Sequence, residues 1–249
     1  MPDAAIPVAI LGGSGYVAGE LLRLLAAHPR FTVAAVASTT QAGEPVAASF
    51  PHLSGTAVDG LRFSSLEDLG KLFEPGCEVA LFAATPHGST AALVDEVLGA
   101  AERAGARVRA VDLSADFRFR DAARFAAVYG KPHGAPGRCD SFVCAVPEHV
   151  PGIPAGHAAQ PGCFTTAAVL PAYPLFAAGL VAGDVFVSAV TGSSGRGRTP
   201  LANAHRHNRD LFERQIHCVD DGAAQGIFAR FAQDDHILRS RADLRSRER

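Results

Sequence analysis

Val8-Ala9-Ile10-Leu11-Gly12-Gly13-Ser14-Gly15-Tyr16-Val17-Ala18-Gly19-Glu20-Leu21-Leu22-Arg23-Leu24-Leu25 decides the fold. The short apolar run Val8–Leu11 predicts an opening strand, and it ends in a glycine-rich turn. The segment from Glu20 has helical character and continues to about His28-Pro29. Gly12, Gly15 and Ala18 stand at the spacing G-x-x-G-x-x-A, a variant of the dinucleotide fingerprint. Gly12 permits the tight turn, Gly15 lets a pyrophosphate approach the backbone, and the small Ala18 lets the helix pack on the strand. An ordinary strand-to-helix turn can carry the same glycines. The position after an opening strand and before a helix favours the nucleotide reading.

Working outward, Phe31–Ala37 reads as a second strand. Its end commonly carries an acidic residue for the adenosine ribose in NAD-binding units. Here the chain has Ser38-Thr39-Thr40-Gln41, whose hydroxyls tolerate a 2′-phosphate, so NADP is expected over NAD; a plain polar turn is the alternative. Ala42–Gly60 is loose and rich in Gly, Pro and Ser. Ser65–Phe73 reads as a short capped helix. Glu78–Ala84 is a continuous apolar strand of the kind buried on both faces of a parallel sheet. It ends at Thr85-Pro86-His87-Gly88-Ser89, followed by a helix to about Ala104 and a strand over Arg107–Leu113. Strands alternating with helices predict a doubly wound parallel sheet, whose ligands sit at the strand carboxyl ends. Gly12, Ser38, Pro86, His87 and Ser114 fall at those ends. Arg118 follows closely and offers a fork for phosphate or carboxylate, though a lone arginine is as readily solvated surface.

The second decisive stretch is Gln160-Pro161-Gly162-Cys163-Phe164-Thr165-Thr166, which opens the apolar run Ala167–Leu170. Pro and Gly break the preceding segment, so Cys163 falls at a helix start. Unpaired N–H groups and the helix dipole there favour a thiolate, the usual preparation for attack on an acyl carbon; a buried inert cysteine is the alternative.

The composition of the 249 residues bounds the remaining classes. Hydrophobic residues at 48% and charged residues at 19% suit a packed core. A formal net charge of -2 gives no electrostatic argument for nucleic acid or an anionic membrane. No apolar stretch is long enough to span a bilayer, and the N-terminus lacks a signal-peptide pattern. Cys77, Cys139, Cys144, Cys163 and Cys218 show no paired spacing, so neither a disulfide framework nor a metal site is expected, and a reducing cytoplasm fits best.

Taken in order, Gly12-Gly13-Ser14-Gly15-Tyr16 with Glu20-Leu21, Pro86-His87-Gly88, Asp112-Leu113-Ser114-Ala115-Asp116-Phe117-Arg118 and Pro161-Gly162-Cys163-Phe164 resemble the N-acetyl-γ-glutamyl-phosphate reductase family. The pattern includes the branch that acts on carrier-protein-bound aminoadipyl phosphate, and the Asp112–Arg118 string separates it from aspartate-semialdehyde dehydrogenase. The resemblance runs from about Val8 to about Pro200. It implies a Rossmann-type NADP-binding domain over residues 1–159 and a second α/β substrate domain over 160–249, which is expected to be atypical after about 200 and incomplete. It implies NADPH-dependent reduction of an acyl phosphate to a semialdehyde through a Cys163 thioester, in arginine biosynthesis, by a cytoplasmic homo-oligomer. The cofactor is expected at Gly12, Ser14, Gly15, Tyr16, Val17, Ser38, Thr39 and Pro86, and the substrate at Arg118, Glu148 and Arg198.

Three departures stand out. Gln160 replaces the family's Asn before Pro-Gly-Cys. Cys144-Ala145 replaces Tyr-Gly ahead of Val146-Pro147-Glu148. His205-Arg206-His207 resembles the family's acid/base motif but follows Arg198 too closely. His207 is taken as the base, and the tail beyond His217 carries no clear apolar period. An impaired catalyst is therefore expected. A nucleotide-binding remnant, or the same chemistry on aminoadipyl or aspartyl phosphate, are the competing readings.

Overall fold

The computed structural model describes residues 5–149, 156–182, 185–189, 192–198 and 214–218. The opening stretch folds as read: strand β1 (Ile6–Leu11), a glycine turn, and helix α1 (Tyr16–Leu25). Strand β2 (Phe31–Ala37) follows, then a loop holding the single-turn helix α2 (Val46–Ser49). The expected short helix over 65–73 is the single turn α3 (Leu66–Leu69) running into a 3-10 turn, preceded by the two-residue strand β3 (Phe63–Ser64). Ser65 caps it: its hydroxyl accepts the Asp68 N–H while the Asp68 carboxylate reaches back to the Ser65 N–H, a reciprocal capping box. Strand β4 (Glu78–Ala83), helix α4 (Thr90–Ala104) and strand β5 (Arg107–Asp112) complete the expected alternation. Helix α5 (Ala122–Tyr129), strands β6 (Phe142–Cys144) and β7 (His157–Ala159), helix α6 (Cys163–Ala177) and strands β8 (Val185–Ala189) and β9 (Arg214–Cys218) follow.

Seven strands form one parallel sheet in the order β3-β2-β1-β4-β5-β7-β6, and β8 and β9 form a separate antiparallel pair. The layers follow from side-chain alternation along β1. Val8 and Ile10 join Ala18, Leu22, Val36, Val46 and Phe50 on one face, whereas Ala9 and Leu11 join Leu81, Val94, Leu98 and Phe117 on the other. Both faces are covered, which is why β1 and β4 read as unbroken apolar runs.

The register aligns the strand ends. Leu11 pairs with Ala37 and with Ala83, Ala83 with Asp112, Asp112 with Ala159, and Ala159 with Cys144. The carboxyl ends of six strands therefore lie in one row. The residues that follow them (Gly12, Ser38, Ala84, Leu113, Gln160 and Ala145) share one edge of the sheet. At about 4.8 Å per strand, the three steps from β1 to β7 place the glycine turn and the turn before Cys163 about 14 Å apart along that edge.

Candidate active site

The order β2-β1-β4 reverses direction at β1, and the resulting crevice is the usual ligand position in an open parallel sheet. Gly12 adopts φ +74°, and a Cβ there would lie 2.7 Å from the Ala84 carbonyl group, so β1 can turn beside β4 only with glycine. Gly13, given no role above, is equally constrained. Its N–H donates to the Ala37 carbonyl at 2.9 Å, and a Cβ would meet Val36 Cγ1 at 2.4 Å. Gly15 differs from both: a Cβ would find only the Gly12 carbonyl oxygen, at 3.8 Å, so its open side faces the crevice at the α1 N-terminus. Ala18 is fully buried, as its packing role requires, while Tyr16 and Val17 stand half exposed at the mouth. Open backbone at a helix N-terminus over a switch point suits a dinucleotide pyrophosphate.

The wall beyond β2 carries the expected hydroxyls. Ser38 is buried, its N–H donating to the Ser64 carbonyl at 3.1 Å and its Oγ lying 3.4 Å from Thr40 Oγ1. Thr39 and Thr40 are exposed, and Gln41 accepts a 3.0 Å hydrogen bond from the Ser49 hydroxyl of α2. Among the described residues Ser38 to Gln41 there is no carboxylate to oppose a 2′-phosphate.

After β5 the chain ties a knot around two buried carboxylates. Asp112 accepts the N–H groups of Ser114 at 2.8 Å and Phe117 at 3.0 Å. Burial pushes its carboxyl above the ordinary carboxylate value, and the hydrogen bonds from Ser114 and Phe117 pull the other way. Asp116 reaches across to the next loop, where it accepts the Gly88 N–H and, at 3.0 Å, the Ala91 N–H. Those donors lie at the start of α4. Its own N-cap residue, Ser89, makes no side-chain cap; the Ser89 hydroxyl donates instead to the Pro86 carbonyl at 2.8 Å. Asp116 thus caps α4 from another strand's loop. His133 supports the knot, its Nε2 2.7 Å from the Asp116 carbonyl oxygen and its Nδ1 accepting the Ala135 N–H at 3.1 Å, which fixes the proton on Nε2. The motif that carried the resemblance is therefore architectural through most of its length, and Arg118 is the side chain it delivers.

Arg118 Nε donates to the Gln160 carbonyl at 3.0 Å. That brings its guanidinium onto the turn leading to Cys163, the juxtaposition expected of a site. Gly162 has φ +105°, and a Cβ there would lie 2.9 Å from Arg118 Nη2, so glycine is required both by the backbone and by the arginine beside it. Gln160, a departure from the family pattern, staples this turn. Its Oε1 accepts the Gly162 N–H at 3.3 Å and the Thr166 hydroxyl at 3.1 Å. Cys163 is the first residue of the 15-residue helix α6 and is exposed, whereas Cys139 is buried and burial pushes its thiol up. The buried-cysteine alternative therefore does not describe Cys163, which is exposed at the helix start.

The other expected residues divide. Pro86 is exposed at the end of β4, on the same edge. Glu148 is exposed in a 3-10 turn over Pro147–His149. Its neighbour His149 stacks on Tyr173 at 4.1 Å, and Tyr173 lies about 15 Å along α6 from Cys163. The contacts of Arg198 are to the glycine turn: Nη1 donates to the Ser14 carbonyl at 3.0 Å and Nη2 to the Ser49 carbonyl at 3.2 Å. His205, His207 and the tail from residue 219 lie outside the described residues. Among the described residues no cluster of His, Cys, Asp or Glu could hold a metal ion, and no helix is long and apolar enough to cross a membrane. A shallow depression of about 610 Å³ lies on the outer face of α4, where Arg138 is clamped by Asp95 and Glu102, away from the carboxyl edge.

A parallel sheet with a glycine turn at its switch point has the architecture of a dinucleotide-binding domain. The NAD-binding domain of semialdehyde dehydrogenases matches residues 7–158, and the dimerisation domain of the same enzymes matches residues 163–214. The chain belongs to the semialdehyde dehydrogenase family, and its first half is an NAD(P)-binding domain. Within the family it is similar to N-acetyl-γ-glutamyl-phosphate reductases. That of Pseudomonas aeruginosa (strain UCBPP-PA14) is 44% identical over 196 residues, 78% of this chain and 54% of the relative. That of Pseudomonas fluorescens (strain Pf0-1) is 43% identical over 198 residues, with the same shares. The chain spans about half the length of the curated relatives it matches. Among solved structures, aspartate semialdehyde dehydrogenase with NADP from Candida albicans matches with a TM-score of 0.46 at 15% identity, over 77% of this chain and 52% of that one.

Proposed function

We propose that this chain catalyses the NADPH-dependent reduction of N-acetyl-γ-glutamyl phosphate to N-acetylglutamate semialdehyde, with release of phosphate, as a step of arginine biosynthesis. One observation carries the reading: an exposed Cys163 heads α6 with the Arg118 fork on the turn before it, on the same sheet edge as the glycine turn. The Cys163 thiolate attacks the acyl carbon, forming a C–S bond as the C–O bond to phosphate breaks and phosphate leaves. Arg118 opposes the negative charge of the phosphate or the substrate carboxylate. When bound, the nicotinamide supplies the hydride that reduces the thioester carbon. Hydride addition leaves the thiohemiacetal oxyanion, which takes a proton from an acid and gives it back to the same group as the C–S bond breaks and the sulfur returns as the free thiolate. His207 is the residue proposed to move that proton. Glu148 is proposed to orient the substrate.

NADP is the preferred cofactor on this reading, supported by Thr39 and Thr40 standing exposed where NAD-binding units place a carboxylate. Thr39→Asp is expected to raise the Kd for NADP and lower that for NAD. Self-association is proposed as well. Helix α6 is apolar on all sides, with Leu170, Leu175 and the nearby Leu180 exposed, and it opens the segment matched by the dimerisation domain. The deciding assay is NADP-linked, phosphate-dependent oxidation of N-acetylglutamate semialdehyde by the purified chain, with Cys163→Ser as the control. Turnover that survives Cys163→Ser overturns the covalent route. Tight NADP binding with no turnover on N-acetylglutamyl, aminoadipyl or aspartyl semialdehyde identifies a nucleotide-binding remnant.

A further inference from the structure

Arg198 lies far along the chain from the glycine turn, yet its guanidinium is seated on it. Nη1 donates to the Ser14 carbonyl at 3.0 Å, and Nη2 donates to the Ser49 carbonyl at 3.2 Å. The Cζ atom sits 5.8 Å from the centre of the Tyr16 ring and 5.3 Å from that of Phe50, within cation–π range of both. Ser14 belongs to the turn at the α1 N-terminus, where a dinucleotide pyrophosphate sits. Ser49 is hydrogen-bonded to Gln41, on the wall after β2 where the adenosine ribose and any 2′-phosphate sit. Arg198 therefore bridges the two places where a dinucleotide carries its phosphates. Two of its five N–H donors are used by these carbonyls, and its side chain is exposed.

We propose that Arg198 is a phosphate-binding residue of the nucleotide site, which fastens the segment 192–198 of the second half over the bound dinucleotide. The inference rests on the NAD(P)-binding assignment of the first half and extends the site to a residue of the other half. The ligand group is a phosphate oxyanion of the dinucleotide, either the pyrophosphate or the 2′-phosphate. A guanidinium held by carbonyls and aromatic faces is pre-oriented, so little side-chain entropy is lost when the anion arrives. On this proposal Arg198 serves the cofactor, where the resemblance implies the substrate.

The test uses the full chain and equilibrium titration with NADP and with NAD. Arg198→Ala is expected to raise the NADP Kd about 10-fold or more, as loss of a charge-assisted contact does. Arg198→Lys is expected to recover part of that loss. An equal rise for NAD assigns the contact to the pyrophosphate, and a rise confined to NADP assigns it to the 2′-phosphate. The salt dependence of NADP binding is expected to weaken in Arg198→Ala, which a packing role alone would not produce. A measurement on the unmodified chain guards against a variant that folds poorly: NADP is expected to protect Arg198 from phenylglyoxal, read by peptide mass mapping. Unchanged Kd values in a folded Arg198→Ala, or modification of Arg198 at the same rate with and without saturating NADP, overturn the proposal. Failure of the unmodified chain to bind either dinucleotide strikes the nucleotide assignment itself, which keeps the two outcomes distinct.

Discussion

Asp116→Ala separates architecture from chemistry on the sheet edge. The carboxylate is 1% exposed and accepts the N–H groups of Gly88 and Ala91. A hydrogen bond to a charged group contributes about 1.5–3 kcal/mol net, and a buried donor left bare costs a similar amount. Ala91 is buried, so water cannot replace its acceptor, whereas Gly88 is exposed and its N–H can be rehydrated. The expected loss is therefore about 2–3 kcal/mol rather than twice that. For a chain of this size each kcal/mol moves the midpoint by about 2–4 °C, which gives a fall of about 4–12 °C. Asp116→Asn keeps one acceptor oxygen but turns an amide N–H₂ toward a second donor, so it is expected to fall between Asp116→Ala and the parent. The assay is thermal unfolding followed by circular dichroism, with NADP absent so that ligand linkage does not mask the shift. An Asp116→Ala midpoint within about 1 °C of the parent, in a Ser89→Ala background that removes the N-cap hydroxyl as a substitute acceptor, would refute the cross-loop cap.

Three further outcomes are expected. Iodoacetamide is expected to label exposed Cys163 first and buried Cys139 last, read by mass spectrometry of the native chain; faster labelling of Cys139 contradicts the placement of both. Gly162→Ala is expected to cost about 1–3 kcal/mol in urea unfolding, and Arg118→Ala in the same chain is expected to return part of that loss by making room for the Cβ; strictly additive costs contradict the contact. His157 accepts the Ala110 N–H at 3.1 Å, and burial, then the charge of Arg138, hold its imidazole below the ordinary value. The unfolded ring takes up a proton near its ordinary value of 6.5 while the folded ring stays neutral, so its contribution is complete above that pH and is lost as pH falls below it. His157→Asn is expected to flatten that acid limb of the midpoint-versus-pH curve, and an unchanged limb contradicts the assignment.

The order strand, glycine turn, helix was written in the local sequence, because Val8–Leu11 and Glu20–Leu25 each carry their own period and Gly12 has a φ that glycine alone adopts readily. The cysteine at the head of α6 was legible for the same reason: Pro161-Gly162 breaks the chain locally and the apolar run restarts it. Strands of two or three residues were not legible. Phe63–Ser64, Phe142–Cys144 and His157–Ala159 are too short to show alternation, and only pairing to neighbours makes them strands. The tertiary structure alone decided what the side chains of the Asp112–Arg118 string do. The sequence marked that string as distinctive, but Asp116 acts on Gly88 and Ala91, and Arg118 on Gln160, across separations that no local pattern encodes. It also decided the partners of Arg198, whose contacts with Ser14 and Ser49 exist only because the chain returns to the sheet edge where it began. Local sequence sets backbone conformation through sterics and periodicity, whereas the meeting of charged groups from distant loops is set by strand order and register.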